Sequence, residues 1–184
     1  MPNPRLVALL LLLSAQPLAA QNRTVRNSDK DHRWAEWSNQ IQQLQTVATF
    51  SYSAEMTRTK TRECSRALST SEMRECMNRE VEKTKANYEA YVGALRSSEA
   101  LASPEEQPGT DPLPGHPLRP DERAKEFDAV ESAWQAYAKA QCATAYDTSR
   151  EGTSAGVTQL ECELRLMRDR MTELESVYQF AQGQ

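Results

Sequence analysis

The sequence predicts an all-α protein: a small, disulfide-stapled three-helix up-down bundle with an additional N-terminal amphipathic helix in front of it. Three observations carry this expectation. Apolar residues recur at three- and four-residue steps through four segments, the spacing of one helical face, and no segment shows the strict alternation of a half-buried strand. Six of the nine prolines fall within residues 103–120 and divide the periodic segments into two halves. Four cysteines, an even number, lie on or beside segments that would have to pack together.

The elements follow in chain order. Residues 1–20 have the form of a signal peptide: Arg5, an unbroken apolar run from Leu6 to Leu13, then small residues up to Ala20. That run is far shorter than the ~20 apolar residues needed to span a bilayer, so cleavage near Ala20–Gln21 is expected and no membrane span remains afterwards. No cysteine follows the run, and no lipid anchor is indicated. Residues 21–62 form an N-terminal region. Its first part, to residue 31, is polar and expected to be disordered, and Asn22-Arg23-Thr24 matches a glycosylation sequon by pattern alone. Trp34, Trp37, Ile41, Leu44 and Ala48 then make one helical stripe, which fades into Ser, Thr and charge between Ser51 and Arg62, where a break is expected.

Residues 63–180 hold the bundle. Ser69-Thr70-Ser71-Glu72 has the form of a capping box, in which a hydroxyl and a carboxylate satisfy each other's free backbone N–H groups. From there Met73, Met77, Val81, Thr84, Tyr88, Tyr91 and Leu95 predict a long helix ending near Leu101. The proline-rich loop 103–120 is expected to be a mobile insertion, since it carries no aromatic or charged anchors of a binding loop. A second core helix starts at Asp121 with Phe127, Val130, Trp134, Tyr137 and Gln141 on its stripe. Gly152 and Gly156 punctuate the connection to a third, from about Val157, with Leu160, Leu164, Met167, Met171, Leu174 and Tyr178 facing inward.

The cysteines Cys64, Cys76, Cys142 and Cys162 read as two disulfides of an oxidising compartment. Zinc competes poorly: there is no C-x-x-C pair, and the only two histidines, His32 and His116, have no ligand spacing to the cysteines. Up-down packing puts all four at one pole. Three connectivities are possible. The local pairs Cys64–Cys76 and Cys142–Cys162 are favoured because short turns already bring those segments together.

Three stretches together resemble the lysozyme inhibitor LprI-like N-terminal domain family, an exported helical family with cysteines in this order. They are Cys64 followed by Ser71-Glu72-Met73-Arg74-Glu75-Cys76, Ala133-Trp134-Gln135-Ala136-Tyr137 with Ala140-Gln141-Cys142, and Cys162 with Leu166, Arg170 and Leu174 at four-residue steps. Ala138, Lys139, Lys85, Tyr88 and Glu89 depart from the family pattern, and the proline-rich stretch is an addition to it. The resemblance implies inhibition of lysozyme. It also implies structural roles for Met73, Trp134, Tyr137, Leu166, Arg170 and Leu174, with Trp134 filling the core. Arg170 lies off the apolar stripe, which leaves three readings: solvent, a buried ion pair with a neighbouring helix, or contact with a partner.

The function classes narrow accordingly. The formal charge of −4, one unit more negative without Arg5, argues against nucleic acid, which calls for a basic patch. No His-centred constellation or Gly-rich phosphate loop is present, and Glu105-Glu106 sit in a proline-rich loop, so neither catalysis nor a cofactor is expected. Two readings remain. One is a periplasmic or secreted protein-binding inhibitor of lysozyme. The other is a cell-envelope interaction module that uses Trp34 and Trp37, with Arg170 a further candidate contact.

Overall fold

The structure, a computed structural model, describes residues 18–61, 64–106 and 118–179, with side chains from residue 29 onward. Most of the expected signal peptide, His116 and the middle of the proline-rich loop lie outside the described residues. Four helices follow in order, α1 (Leu18–Thr59), α2 (Thr70–Ala100), α3 (Pro120–Thr148) and α4 (Ala155–Tyr178), with no strand among the described residues. Successive helices run antiparallel, as their pairings show: Arg58 with Glu80 and Tyr52 with Tyr91 between α1 and α2, and Glu131 with Arg170 and Phe127 with Tyr178 between α3 and α4.

The first correction concerns α1. It was expected as an appendage to three core helices, preceded by a disordered stretch. The break expected between Ser51 and Arg62 falls after Thr59, but the helix is a full member of a four-helix arrangement. Residues 18–59 contain neither proline nor glycine. Once nucleated, such a helix gains one hydrogen bond for each residue added. The stripe does not end at Ala48. It continues through Ser51 and Glu55, polar residues that are 4% and 0% exposed, so apolar periodicity could not follow it. The helix stops at Lys60 and Thr61, whose N–H groups turn back to the carbonyls of Thr57 and Arg58.

All four helices contribute to the main core. Ala48 of α1, Tyr88, Tyr91 and Leu95 of α2, Phe127 of α3, and Met171 and Leu174 of α4 form one cluster. Trp134 is half-buried at its edge and stacks at 5.3 Å on Tyr88, a residue that departs from the family pattern. A second cluster, Met77, Val81, Val157 and Leu164 with Met73 against it, closes the pole where the α1–α2 and α3–α4 turns lie. A third surrounds Cys142, Cys162 and Leu166. The structure joins Cys64 to Cys76 and Cys142 to Cys162, with Cα atoms 5.7 and 5.5 Å apart. Both bridges are therefore at that same pole. There Gly156 of α4 faces the Arg74 side chain of α2, and an added Cβ would lie 3.3 Å from Arg74 Cδ.

Helix α2 faces the core along the stripe expected for it. Its cap differs in one bond. Ser69 Oγ accepts from Glu72 N–H at 3.2 Å, but Glu72 Oε2 accepts from Leu68 N–H at 2.8 Å, one residue before the expected donor.

Helix α3 departs more. Val130 and Tyr137 were expected inward and are 54% and 56% exposed, and Gln141 is exposed as well. The inward positions are Ala124, Phe127, Glu131, Trp134, Ala138 and Cys142. A stripe chosen for its apolar residues passed over Glu131, which is 5% exposed because Arg170 of α4 meets it there. One prediction follows from this register. Tyr137→Ser costs under about 0.5 kcal/mol in a urea titration, as expected of a surface site despite the residue's place in the family motif.

The described ends of the proline-rich loop are tied down by charge, against the expectation that it lacks charged anchors. Arg123 donates to Glu106 Oε1 at 2.8 Å and to the Leu118 carbonyl at 3.1 Å, joining the two ends across one guanidinium.

Candidate functional site

Two groups of buried charge run through the bundle. The Glu55 carboxylate, wholly buried on α1, accepts from Thr84 Oγ1 at 2.7 Å, Asn87 Nδ2 at 2.8 Å, Arg168 Nε at 2.8 Å and Arg58 at 3.0 Å. Arg58 also bonds Glu80. Burial raises the Glu55 pKa, but these hydrogen bonds and the Arg58 charge outweigh it and hold the carboxyl below its ordinary value. A group saturated in this way fastens α1 to α2 and α4. It has no lone pair left for proton transfer to a substrate.

The second group is Arg170. It was a candidate for partner contact, but the structure makes it 7% exposed, so it is withdrawn from any partner. Its Nε and NH2 donate to Glu131 Oε2 at 3.3 and 3.1 Å and its NH1 to Glu173 at 2.8 Å, while the guanidinium lies 5.9 Å from the Trp134 ring centroid. Of the readings open for it in the sequence, this is the buried ion pair. Glu131 Oε1 is buried without a hydrogen-bond partner. Burial accordingly raises the Glu131 pKa, and the Arg170 charge and hydrogen bonds compensate only in part.

Trp34 and Trp37 are half-buried on α1, edge to face at 5.5 Å. Because Arg58 pairs with Glu80, Glu55 with Thr84 and Tyr52 with Tyr91, the end of α2 at Ala100 falls near residue 40 of α1, and the part of α1 before it runs beyond α2 at the pole away from the disulfides. The tryptophans belong to that longer end. Leu166 and Leu174 are buried, and Met73 packs against the cluster at the disulfide pole.

Among the described residues the most exposed large apolar side chain was not singled out in the sequence: Leu68, 93% exposed. It precedes the cap Ser69, and Met73 is the fourth residue of the helix that follows. Side chains at these two positions commonly pack together as a hydrophobic staple. Here Met73 turns into the second cluster and Leu68 points away. The backbone carrying Leu68 is held from several sides. Its N–H donates to Glu72, Ala67 N–H turns back to the Cys64 carbonyl at 3.1 Å, and Cys64 is bonded to Cys76 of α2. Cys64 itself has φ 59, a left-handed residue that sharpens the loop. Beside the loop lies a shallow recess of about 410 Å³, lined by the disulfide, Arg66, Ala67 and Arg79 among others. A groove of about 510 Å³ between α1 and α4 has Met56, Met77 and Leu164 among its lining residues, with Arg165, Arg168 and Asp169 beside them.

Among the described residues no three His, Cys, Asp or Glu could hold a metal ion together, and no helix is long and apolar enough to cross a membrane. The buried carboxylates Glu55, Glu131 and Glu175 are engaged by side chains of neighbouring helices.

The chain matches no curated protein and no solved structure. A sequence model described as "Lysozyme inhibitor LprI" matches residues 61–174, well over half of the chain and nearly all of α2 to α4, with both disulfides inside it. Helix α1, although it carries the buried Glu55, lies before the matched region. The chain belongs to the lysozyme inhibitor LprI family.

Proposed function

We propose that this chain is exported to the periplasm or beyond the cell by removal of a signal peptide near Ala20, and that it inhibits lysozyme by binding, without a catalytic step of its own. Family membership carries the reading. Two physical features support it. Disulfides persist in oxidising compartments, and this chain has two. Its net charge, −5 once Arg5 is removed (21 basic against 26 acidic side chains), draws it toward lysozymes, which are cationic, and such complementarity raises the association rate.

The test is a lysis assay with purified oxidised protein, residues 21–184, at micromolar concentration over a salt series. Lysis slows at low salt and the effect weakens as screening sets in. Unchanged lysis at low salt rejects the reading for the lysozyme used.

A second reading, an envelope interaction module, is favoured by the overhang of α1 with its tryptophan pair. Because Ala48 and Glu55 are core residues, the truncation that separates the two readings must stop before them. A chain lacking residues 21–38 keeps its lysozyme inhibition on the first reading. Loss of inhibition in a folded truncated chain assigns the contact to α1.

A further inference from the structure

We propose that the Cys64–Cys76 loop, with Leu68 at its tip and Arg66 and Arg79 beside it, is the surface that enters the acidic cleft of a lysozyme. The inference rests on the inhibitory reading above and specifies where on the chain inhibition arises.

Leu68 is a side chain in the wrong place for stability. Burying a leucine contributes about 1.5–3 kcal/mol, and a staple partner stands at the right spacing in Met73. Leu68 forgoes that burial at 93% exposure. The loop is nonetheless ordered, by the disulfide to α2, the turn from Ala67 to Cys64, the Leu68 N–H bond to Glu72, and the Ser69 cap. An apolar side chain held out on a fixed backbone has little conformational entropy left to lose on binding, which is the condition for an efficient anchor.

The surroundings indicate what kind of partner fits. In a chain of net charge −4, Lys60, Arg66, Arg74 and Arg79 are exposed at this pole, and neither Arg66 nor Arg79 makes an ion pair among the described residues. Of the acidic residues nearby, Glu72 is engaged by the Leu68 N–H and Glu75 is exposed, which leaves the cations in the majority at this loop. Glycoside hydrolases work with a pair of carboxylates flanking the scissile bond, and lysozyme holds one of them in an apolar pocket. An apolar tip flanked by guanidinium groups complements both features, since Arg binds carboxylates through two parallel hydrogen bonds. The exposed face of α3 around Val130 and Tyr137 is a helix side. It can cover a flat surface but has no protruding tip to enter a cleft.

The experiment compares three variants of the oxidised chain with wild type: Leu68→Asp, Arg66→Glu and, as a control on α3, Tyr137→Ser. Melting temperature and far-UV dichroism establish that each is folded. Leu68→Asp is expected to raise the concentration for half-inhibition at least about tenfold and Arg66→Glu by about fivefold or more, with Tyr137→Ser within about twofold of wild type. Loop variants that fold and inhibit like wild type overturn the assignment while leaving lysozyme inhibition standing. A wild-type chain that does not inhibit overturns both. The two loop substitutions act through different chemistry, so misfolding of one leaves the other decisive.

Discussion

Reduction of both disulfides lowers the melting temperature of this protein by roughly 15–20 °C. The bridges span sequence separations of 12 and 20 residues, and by the loop-closure relation each restricts the unfolded chain by about 3 kcal/mol. Together they supply about 6 kcal/mol, comparable with the whole stability of a typical domain, and each kcal/mol moves the midpoint of a chain this size by about 2–4 °C. The bridges differ in their second effect. Replacing Cys142 and Cys162 by serine loosens the α3–α4 pairing, which does not carry Leu68, and lowers stability. Replacing Cys64 and Cys76 lowers stability by a similar amount and also frees the loop that carries Leu68. Calorimetry with and without reductant tests the first statement, and inhibition measured well below each melting point tests the second. A melt indifferent to reductant contradicts the stabilising role of the bridges.

Glu55→Ala is expected to cost about 3 kcal/mol, or roughly 10 °C. One carboxylate serves four donors from three helices, so its removal takes the acceptor from the Thr84 hydroxyl and the Asn87 amide and a counter-charge from Arg58 and Arg168. Breaking a fully buried pair costs about 3–5 kcal/mol. The two arginine side chains retain 22% and 18% exposure, and the lower end of the range applies because water can reach them. The same residue shapes the acid limb of stability. The folded pKa of Glu55 is depressed below the ordinary 4.5, so its stabilisation is complete above that value and is lost as pH falls through the folded pKa. Glu131 has the opposite sign. Its folded pKa is raised, so the stability it contributes is present below the ordinary value and is lost as pH rises through the folded one. Urea titrations between pH 3 and 7 show a shallower acid limb in Glu55→Gln than in wild type. Equal slopes contradict the burial and pairing described for Glu55.

Much of this was legible in the sequence, and the parts that were not have a common cause. The stripe of α2 reads directly because its inward residues are apolar or small from Met77 to Leu95. Helix α4 reads as directly, through Leu164, Met171 and Leu174. Helix α1 reads only to Ala48, because below it the inward positions are Ser51 and Glu55. Helix α3 reads correctly at Phe127 and Trp134 but not at Val130, Tyr137 and Gln141, because its inward position 131 is a glutamate. In both places polar side chains take core positions and find their partners across the sequence, Glu55 in residues up to 113 positions away and one oxygen of Glu131 in Arg170 39 positions away. A periodicity of apolar residues cannot register such pairs. Arg170 stayed open among three readings and Glu131 was passed over for one reason, since each looks solvated until the other is set opposite it. Leu68 escaped notice for the converse reason. A leucine before a helix cap reads as a staple, and only the structure shows it unburied.

The most direct test of the account asks whether the Leu68 loop and a substrate compete for one cleft. Oxidised protein is titrated into lysozyme with the cleft empty and again with it occupied by a chitooligosaccharide. With the saccharide at about ten times its own Kd, mass action predicts an apparent Kd for the complex raised about tenfold. Binding of equal strength to the empty and the saccharide-filled enzyme would contradict the account.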